Sequence, residues 1–300
     1  MNQAADRAPI VLSDHDLLDR LDPHRSVEAV RQAMRDCARG AIASPARGVV
    51  PAGAGTFTFT CGVGPDWYGY RAYDSVSSAP DRDQIVVAAD PGTGKVNRIA
   101  VGRVLGRART GSIGAVAIDL LSRPESRTLG LIGTGSQAWW QLWALRAVRP
   151  GLRVRVYSRS ATGRAEFAAR AADLLDIDCE PVDSAMEAVA DADIVVLATN
   201  SGEPVIETEW IAAGAHVTTL GPKQRGRCEY PESLLRRADL LFTDSVDQLL
   251  AYEPEAVAAD ADPAWLCPLA DAPIVRDPSH VSVFLSVGLS ATEVALLHAL

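Results

Sequence analysis

The sequence has few of the features that mark secreted, membrane or nucleic-acid-binding proteins. Its five cysteines are scattered, with no Cys-x-x-Cys and no Cys/His cluster at metal-ligand spacing, so we expect reduced thiols and no metal site. No apolar run approaches the roughly 20 residues of a transmembrane helix, and residues 1–9 lack the apolar core of a signal peptide. Positive charge is scarce, with 29 Lys and Arg against 38 Asp and Glu, which argues against nucleic acid or an anionic membrane as the main partner. These absences predict a soluble, cytoplasmic protein.

Apolar residues, in contrast, are plentiful enough for two domains, since 300 residues of which 48% are hydrophobic exceed the usual size of one domain. Helix caps are expected at Ser13 and Ser26. Strand-like runs follow at 56–63, 68–76, 84–89 and 96–101. The first hundred residues are therefore predicted to form a small antiparallel sheet with two helices. A further helix is expected to open at 109–112 and to turn four side chains inward: Ile113, Val116, Ala117 and Leu120.

A dinucleotide-binding fingerprint lies near the middle of the chain. The apolar run Leu129–Ile132 reads as a buried parallel strand, and Gly133 and Gly135 break it before a helical pattern over 137–147. Gly133 permits the tight turn, Gly135 lets the backbone approach a pyrophosphate, and Ala138 keeps the helix close to the strand. We therefore assign these consecutive residues to cofactor binding: Gly133, Thr134, Gly135, Ser136, Gln137 and Ala138.

The next strand predicts which dinucleotide is preferred. It runs over 154–157 and is followed by Ser158, Arg159 and Ser160 and by a helical pattern over 161–175. NAD-selective units place Asp or Glu at the end of this strand, to bind the ribose 2′-hydroxyl. An arginine there suits a 2′-phosphate instead, because its planar fork makes paired charge-assisted bonds. NADP is therefore the expected cofactor, with NAD possible.

Two more apolar strands, at 193–198 and 216–220, continue the alternation of a doubly wound sheet. They are followed by Thr199, Asn200 and Ser201 and by the loop 221–223. Ligands of doubly wound sheets lie outside the carboxyl ends of the strands, so both loops should border the cofactor. A further strand is expected over 240–243, no element is assigned over 250–280, and 281–289 reads as a loop with a glycine turn before a helical tail.

These pieces, in this order, resemble the ornithine cyclodeaminase and μ-crystallin family, which includes ketimine reductases, alanine dehydrogenases and opine-type amino-acid synthases. The resemblance covers nearly the whole chain. It rests on these segments: Ser44–Arg47, Gly69–Arg71, Asp90–Gly94, Arg109–Thr110, Gly133–Ala138, Ala198–Ser201, Asp244–Ser245 and Phe284–Leu289.

The resemblance implies a homodimer built from two kinds of domain. An α+β substrate-binding and dimerisation domain would comprise 1–115 with 281–300, and a Rossmann-type NAD(P)-binding domain 116–280. In the family a basic trio holds the substrate carboxylate, and the matching positions are Arg47, Arg71 and Arg109. Most relatives have lysine where this chain has Arg71, which can bind or polarise a substrate but is a poor proton donor. The resemblance also adds Ser286 and Gly288 to the cofactor site.

A second departure bears on the reaction. Cyclodeaminases of the family have an aspartate for the substrate's distal amine where this chain has Lys223, which would repel an ornithine ammonium. Lys223 is a candidate proton donor, and binding of a cofactor phosphate or exposure to solvent are the alternatives.

The expected function is an NADP-preferring oxidoreductase that reduces the C=N bond of an imino acid. Its substrate would be a cyclic ketimine or a keto acid condensed with an amine, with Lys223 and Arg71 as catalytic residues. Two alternatives remain: a lyase of the cyclodeaminase type that recycles NAD internally, and a non-catalytic NADP-dependent binding protein.

Overall fold

The computed structural model describes residues 8–76, 79, 82–262, 265–272 and 277–300. The chain divides into two compact units, Met1–Arg109 with Leu289–Leu300 and Thr110–Gly288. The expected division differs at two places, because 110–115 and 281–288 fall in the second unit. No helix among the described residues is both long enough and apolar enough to cross a membrane.

The strands and helices have the following bounds. The strands are β1 (Ile10–Leu12), β2 (Gly48–Ala52), β3 (Gly55–Val63), β4 (Tyr68–Asp74), β5 (Gln84–Ala89), β6 (Val96–Gly102), β7 (Thr128–Ile132), β8 (Arg153–Tyr157), β9 (Asp178–Pro181), β10 (Ile194–Leu197), β11 (His216–Thr219), β12 (Lys223–Gln224), β13 (Arg227–Cys228), β14 (Leu240–Thr243), β15 (Leu266–Pro268) and β16 (Ser282–Leu285). The α-helices are α1 (Asp14–Arg20), α2 (Pro23–Ala38), α3 (Val104–Leu121), α4 (Ser136–Leu145), α5 (Ala161–Leu175), α6 (Ala185–Val189), α7 (Glu232–Arg237), α8 (Val246–Leu250) and α9 (Ala291–Ala299). Short 3₁₀ turns occupy Thr208–Trp210, Val257–Asp260 and Leu269–Asp271.

The first unit is built on a six-stranded sheet in the order β1-β6-β5-β4-β3-β2. Its strands are antiparallel except for β1, which sequence patterns missed and which runs parallel to β6. Helix α9 packs on β3 to β6 and on α2. Glycine is required at position 69, because a Cβ there would collide with the carbonyl oxygen of Val87 on β5 and with the side chain of Val294 on α9.

The second unit is an eight-stranded, wholly parallel sheet in the order β15-β14-β16-β11-β10-β7-β8-β9. The order reverses between β7 and β10, which is the switch point where doubly wound sheets bind ligands. Its central strands β7, β10, β11, β14 and β16 are almost entirely buried, as expected for a parallel sheet covered on both faces, whereas the edge strand β9 is largely exposed. The predicted α/β class, a Rossmann-type sheet with a smaller α+β unit, is confirmed.

Two helix starts and one helix face differ from the prediction. Helix α2 is capped by Asp22 rather than by Ser26 and begins at Pro23, because the side chain of Asp22 accepts from the amide of Arg25 at 2.9 Å and proline suits a first turn. Helix α3 begins at Val104 rather than at 109–112. Its first amides are capped from a distant segment, since Asp14 Oδ1 accepts from the N–H groups of Arg103 and Val104 at 2.8 Å each. Leu120 is exposed, whereas the other three predicted inward residues of α3 are buried.

The segment 281–289 contains a strand, not only a loop and a glycine turn. Strand β16 lies between β11 and β14 and pairs in parallel with both. All four of its residues are buried. The strand was not predicted because Ser282 and Ser286 flank its apolar residues and shorten the apolar run in the sequence. The segment 250–280 contains α8 in part, β15 and two 3₁₀ turns, and residues 263, 264 and 273–276 lie outside the described residues.

Candidate functional site

The turn between β7 and α4 has the geometry of a pyrophosphate cradle. Gly133 has φ +108°, and a Cβ there would collide with the carbonyl oxygen of Ala198. Gly135 is the N-cap of α4 without a side-chain cap bond, and a Cβ on it would meet open space. Ala138 is fully buried. The first amides of α4 are thus left for an anion, so these residues fit the pyrophosphate of a dinucleotide.

The loop after β8 exposes a guanidinium beside the start of α5. Arg159 and Ser160 are exposed and Ser158 is half-buried. Ser160 caps α5 by accepting from the amide of Gly163 at 3.0 Å. Arg164 stabilises the loop by donating a hydrogen bond to the carbonyl oxygen of Ser158 at 3.1 Å. A positively charged side chain, rather than an acidic one, therefore stands at the end of this strand.

A buried carboxylate connects the loops that follow β10 and β11. Glu229 Oε2 accepts from the amide and the hydroxyl of Thr199, at 2.9 and 2.8 Å, and its Oε1 accepts from the amide of Gly221 at 2.6 Å. Glu229 has no exposed surface. Burial raises the pKa of Glu229, while nearby Lys223 and the three hydrogen bonds from Thr199 and Gly221 lower it. Glu229 was not predicted as a site residue. The available signal was its place between the apolar residues Cys228 and Tyr230, because a charged side chain that is buried there needs hydrogen-bond partners.

Lys223 lies inside this arrangement rather than in solvent. It is 3% exposed, and its Nζ donates to the carbonyl oxygen of Gly221 at 2.6 Å. The alternative that Lys223 extends into water is therefore wrong. Asn200 is exposed, and the amide of Ser201 donates to Thr199 Oγ1 at 3.2 Å.

Asp244 fixes the loop after β16. Its two carboxylate oxygens accept from the amides of Val287 and Gly288, at 2.7 Å each. Ser286 is buried, and its amide donates to the carbonyl oxygen of Thr219 at 3.1 Å. The second unit thus brings the predicted cofactor residues of four loops, which follow β7, β8, β10 and β16, to one edge of its sheet.

The first unit holds a buried cluster of two arginines around one carboxylate. Glu293 Oε1 on α9 contacts Arg71 Nη1 on β4 at 2.8 Å and Arg109 Nη2 on α3 at 2.6 Å. Arg71 also donates from Nη2 to Gln84 Oε1 at 2.6 Å. Burial by itself raises the pKa of Glu293, but Arg109 and Arg71 outweigh it and hold that pKa below its usual value. Burial lowers the pKa of Arg71, while Glu293 opposes this.

Tyr73 links the third predicted arginine to this cluster. Its hydroxyl accepts from Arg47 Nη1 at 3.3 Å, and its ring centroid lies 4.1 Å from the guanidinium carbon of Arg71. The three arginines are therefore connected through Glu293 and Tyr73. Neither of these residues was predicted, because they carry no motif of their own. No group of acidic, histidine and cysteine side chains suited to a metal occurs in the described part of the chain.

The fold and this loop edge define a two-unit α/β protein of the dinucleotide-binding class. The chain belongs to the ornithine cyclodeaminase/mu-crystallin family, whose model matches residues 18–300. It is 27% identical over 222 residues to the ketimine reductase mu-crystallin of Mus musculus, covering 73% of this chain and 69% of that one. It is 30% identical over 302 residues to the NAD(P)H-dependent anabolic L-arginine dehydrogenase of Pseudomonas aeruginosa, covering 95% and 93%. A probable ornithine cyclodeaminase of Bordetella pertussis has a TM-score of 0.87 at 25% identity, covering 97% and 96%.

Proposed function

We propose that this protein is an NADP-preferring oxidoreductase that reduces the C=N bond of an imino acid to an amino acid. The observation that carries the proposal is the buried cluster of Arg71, Arg109 and Glu293, with Arg47 attached through Tyr73, in a chain that also has a dinucleotide cradle. The similarity to a ketimine reductase and an amino-acid dehydrogenase supports the same class of reaction.

The arginines are proposed to bind the substrate's carboxylate. Arg71 and Arg109 carry two positive charges, and Glu293 neutralises one of them, so the cluster retains a positive charge that favours an anion. Planar guanidiniums bind carboxylates in bidentate fashion, and this fixes the orientation of the adjacent carbon. Arg71 holds and polarises the substrate, because it does not release a proton at any useful pH.

The second unit is proposed to hold the cofactor, which supplies the hydride when bound. The residues assigned to it are those of the cradle with Ser158, Arg159, Ser160, Thr199, Asn200, Ser201, Ser286 and Gly288. The exposed guanidinium of Arg159 supports a preference for NADP, since it is suited to pair with a 2′-phosphate. Lys223 and water are the sources of the proton for the reduced nitrogen that the sequence suggests.

An apolar face on the first unit supports the proposed homodimer. Val50, Phe57, Phe59, Val63 and Ile85 share the sheet surface opposite to α9, and each is exposed by 37–52%. We name these five residues the apolar sheet face. Contiguous exposed apolar surface of this kind is typical of a protein–protein contact. We propose a second copy of the chain as its partner, and the five free cysteines support a reducing, cytoplasmic location.

The decisive experiment follows absorbance of the reduced nicotinamide. The purified protein is mixed with NADPH, then with NADH, and with a panel of cyclic imino acids and of keto acids paired with amines. Oxidation of NADPH in proportion to the substrate consumed is expected. Product formation from an amino acid with no net change in the cofactor would instead indicate a lyase. Tight binding of cofactor and ligand without turnover would indicate a binding protein, and either result would contradict the reductase.

A further inference from the structure

Tyr73 is placed between two of the arginines that are proposed to bind the substrate's carboxylate. It lies two residues after Arg71 on β4, so the two side chains share the sheet face that α9 covers. The guanidinium of Arg71 lies against the phenol ring, at 4.1 Å from its centroid, and Arg47 Nη1 lies 3.3 Å from the hydroxyl. Any group held by Arg47 and Arg71 is therefore held beside this hydroxyl.

The hydrogen bond to Arg47 leaves the phenol proton available. A guanidinium has only donors, so the hydroxyl oxygen of Tyr73 must be the acceptor in this pair. A hydroxyl that accepts one hydrogen bond can still donate its own proton to another group.

Reduction of a C=N bond requires such a proton, and the other side chains of this cluster are poor sources. Arg71 and Arg109 do not deprotonate at useful pH. Glu293 is held ionised by these two arginines, since its pKa lies below the usual value, so it has no proton to give near neutral pH. The amide of Gln84 is not an acid. Lys223 does not belong to this cluster and is the competing candidate.

We propose that Tyr73 is a catalytic residue that donates its hydroxyl proton to the substrate nitrogen. The inference rests on the proposed imine reduction. The imine carbon gains the hydride and its electron pair, and the electron pair of the C=N π bond forms the new N–H bond with the phenol proton. The C=N bond becomes a single bond, the cofactor is oxidised, and the phenolate regains a proton from water. In the opposite direction the phenolate removes the proton from the amine.

The test compares Tyr73→Phe with the wild-type chain. The variant keeps the ring beneath Arg71 and removes only the hydroxyl. Loss of a general acid lowers kcat by about 10²- to 10⁴-fold, and KM is expected to change less than about twofold. Tyr70→Phe removes a hydroxyl from the outer surface of the same strand and is expected to retain wild-type kcat, so it is the matched control.

Binding of a simple carboxylate separates proton donation from a merely structural role. Pyruvate, titrated calorimetrically into the protein without cofactor, is expected to bind Tyr73→Phe and wild type equally well. Weaker pyruvate binding with unchanged kcat would overturn the proposal, because Tyr73 would then only position Arg47 or Arg71. A large loss of kcat in Lys223→Met together with normal kcat in Tyr73→Phe would also overturn it and assign the proton to Lys223.

The wild-type result distinguishes failure of this proposal from failure of the proposed function. If no imino acid or keto acid and amine pair oxidises NADPH with the wild-type chain, the imine reduction is refuted and Tyr73 loses its role with it. If the wild-type chain is active and Tyr73→Phe is equally active, only the role of Tyr73 is refuted.

Discussion

At the scale of single residues, Glu293 determines the charge balance of the arginine cluster. It has no exposed surface, and its Oε1 contacts both Arg71 and Arg109. Removing one partner of a buried ion pair leaves uncompensated charge and typically costs about 3–5 kcal/mol. We expect Glu293→Gln to lose stability of this order in urea unfolding. Asp119→Asn, which disrupts the more exposed pair with Arg149 at 2.5 Å, is the control and should lose less.

The pH dependence of stability gives a second measurement on Glu293. Its pKa is lower in the folded chain than in the unfolded chain, so its favourable contribution is present above the unfolded value and disappears as pH falls through the folded value. Unfolding free energies measured from pH 7 downward should therefore fall less steeply for Glu293→Gln than for wild type. Identical acid slopes would contradict the assignment.

Arg159 carries the proposed preference for NADP. We expect Arg159→Ala to weaken NADPH binding by about 10- to 100-fold, because a hydrogen bond to a charged group contributes about 1.5–3 kcal/mol. NADH binding should change little. Fluorescence titration of each cofactor measures both constants. Arg153→Ala, which removes an exposed arginine from the other end of β8, should leave the ratio of the NADPH and NADH dissociation constants unchanged. An unaltered ratio in Arg159→Ala would reject this role.

At the scale of elements, the sequence predicts best where the cause is local. The bounds of β5, α5 and β14 agree with those expected, because turn residues, an N-cap serine or a short apolar run mark them. The start of α3 could not be predicted, since its cap comes from Asp14, about ninety residues earlier. The role of Glu293 could not be predicted for the same reason, because its partner Arg109 lies 184 residues earlier in the chain. An acidic residue within the apolar helix α9 was the available signal for it.

The loops after β10 and β11 depend on Glu229 as a common acceptor. Gln at this position offers one acceptor oxygen, so at least one amide, of Thr199 or Gly221, loses its partner at a cost of about 1–3 kcal/mol. We expect Glu229→Gln to speed amide hydrogen exchange at 199–203 and 220–224 and to weaken NADPH binding. The exposed Glu203→Gln is the control. Wild-type rates of amide hydrogen exchange in Glu229→Gln would show that the two loops keep their structure without the carboxylate.

At the scale of the whole molecule, the apolar sheet face predicts the oligomeric state. Phe57 is 43% exposed, and burying such a ring against a second copy would contribute roughly 1.5–3 kcal/mol at each contact. A lysine there would have to lose its hydration inside the interface. We therefore expect light scattering to give the mass of a dimer for wild type and of a monomer for Phe57→Lys at micromolar concentration. Leu174→Lys, at a 60% exposed apolar residue of α5, should remain dimeric. A dimeric Phe57→Lys with normal folding would place the dimer contact elsewhere on the chain.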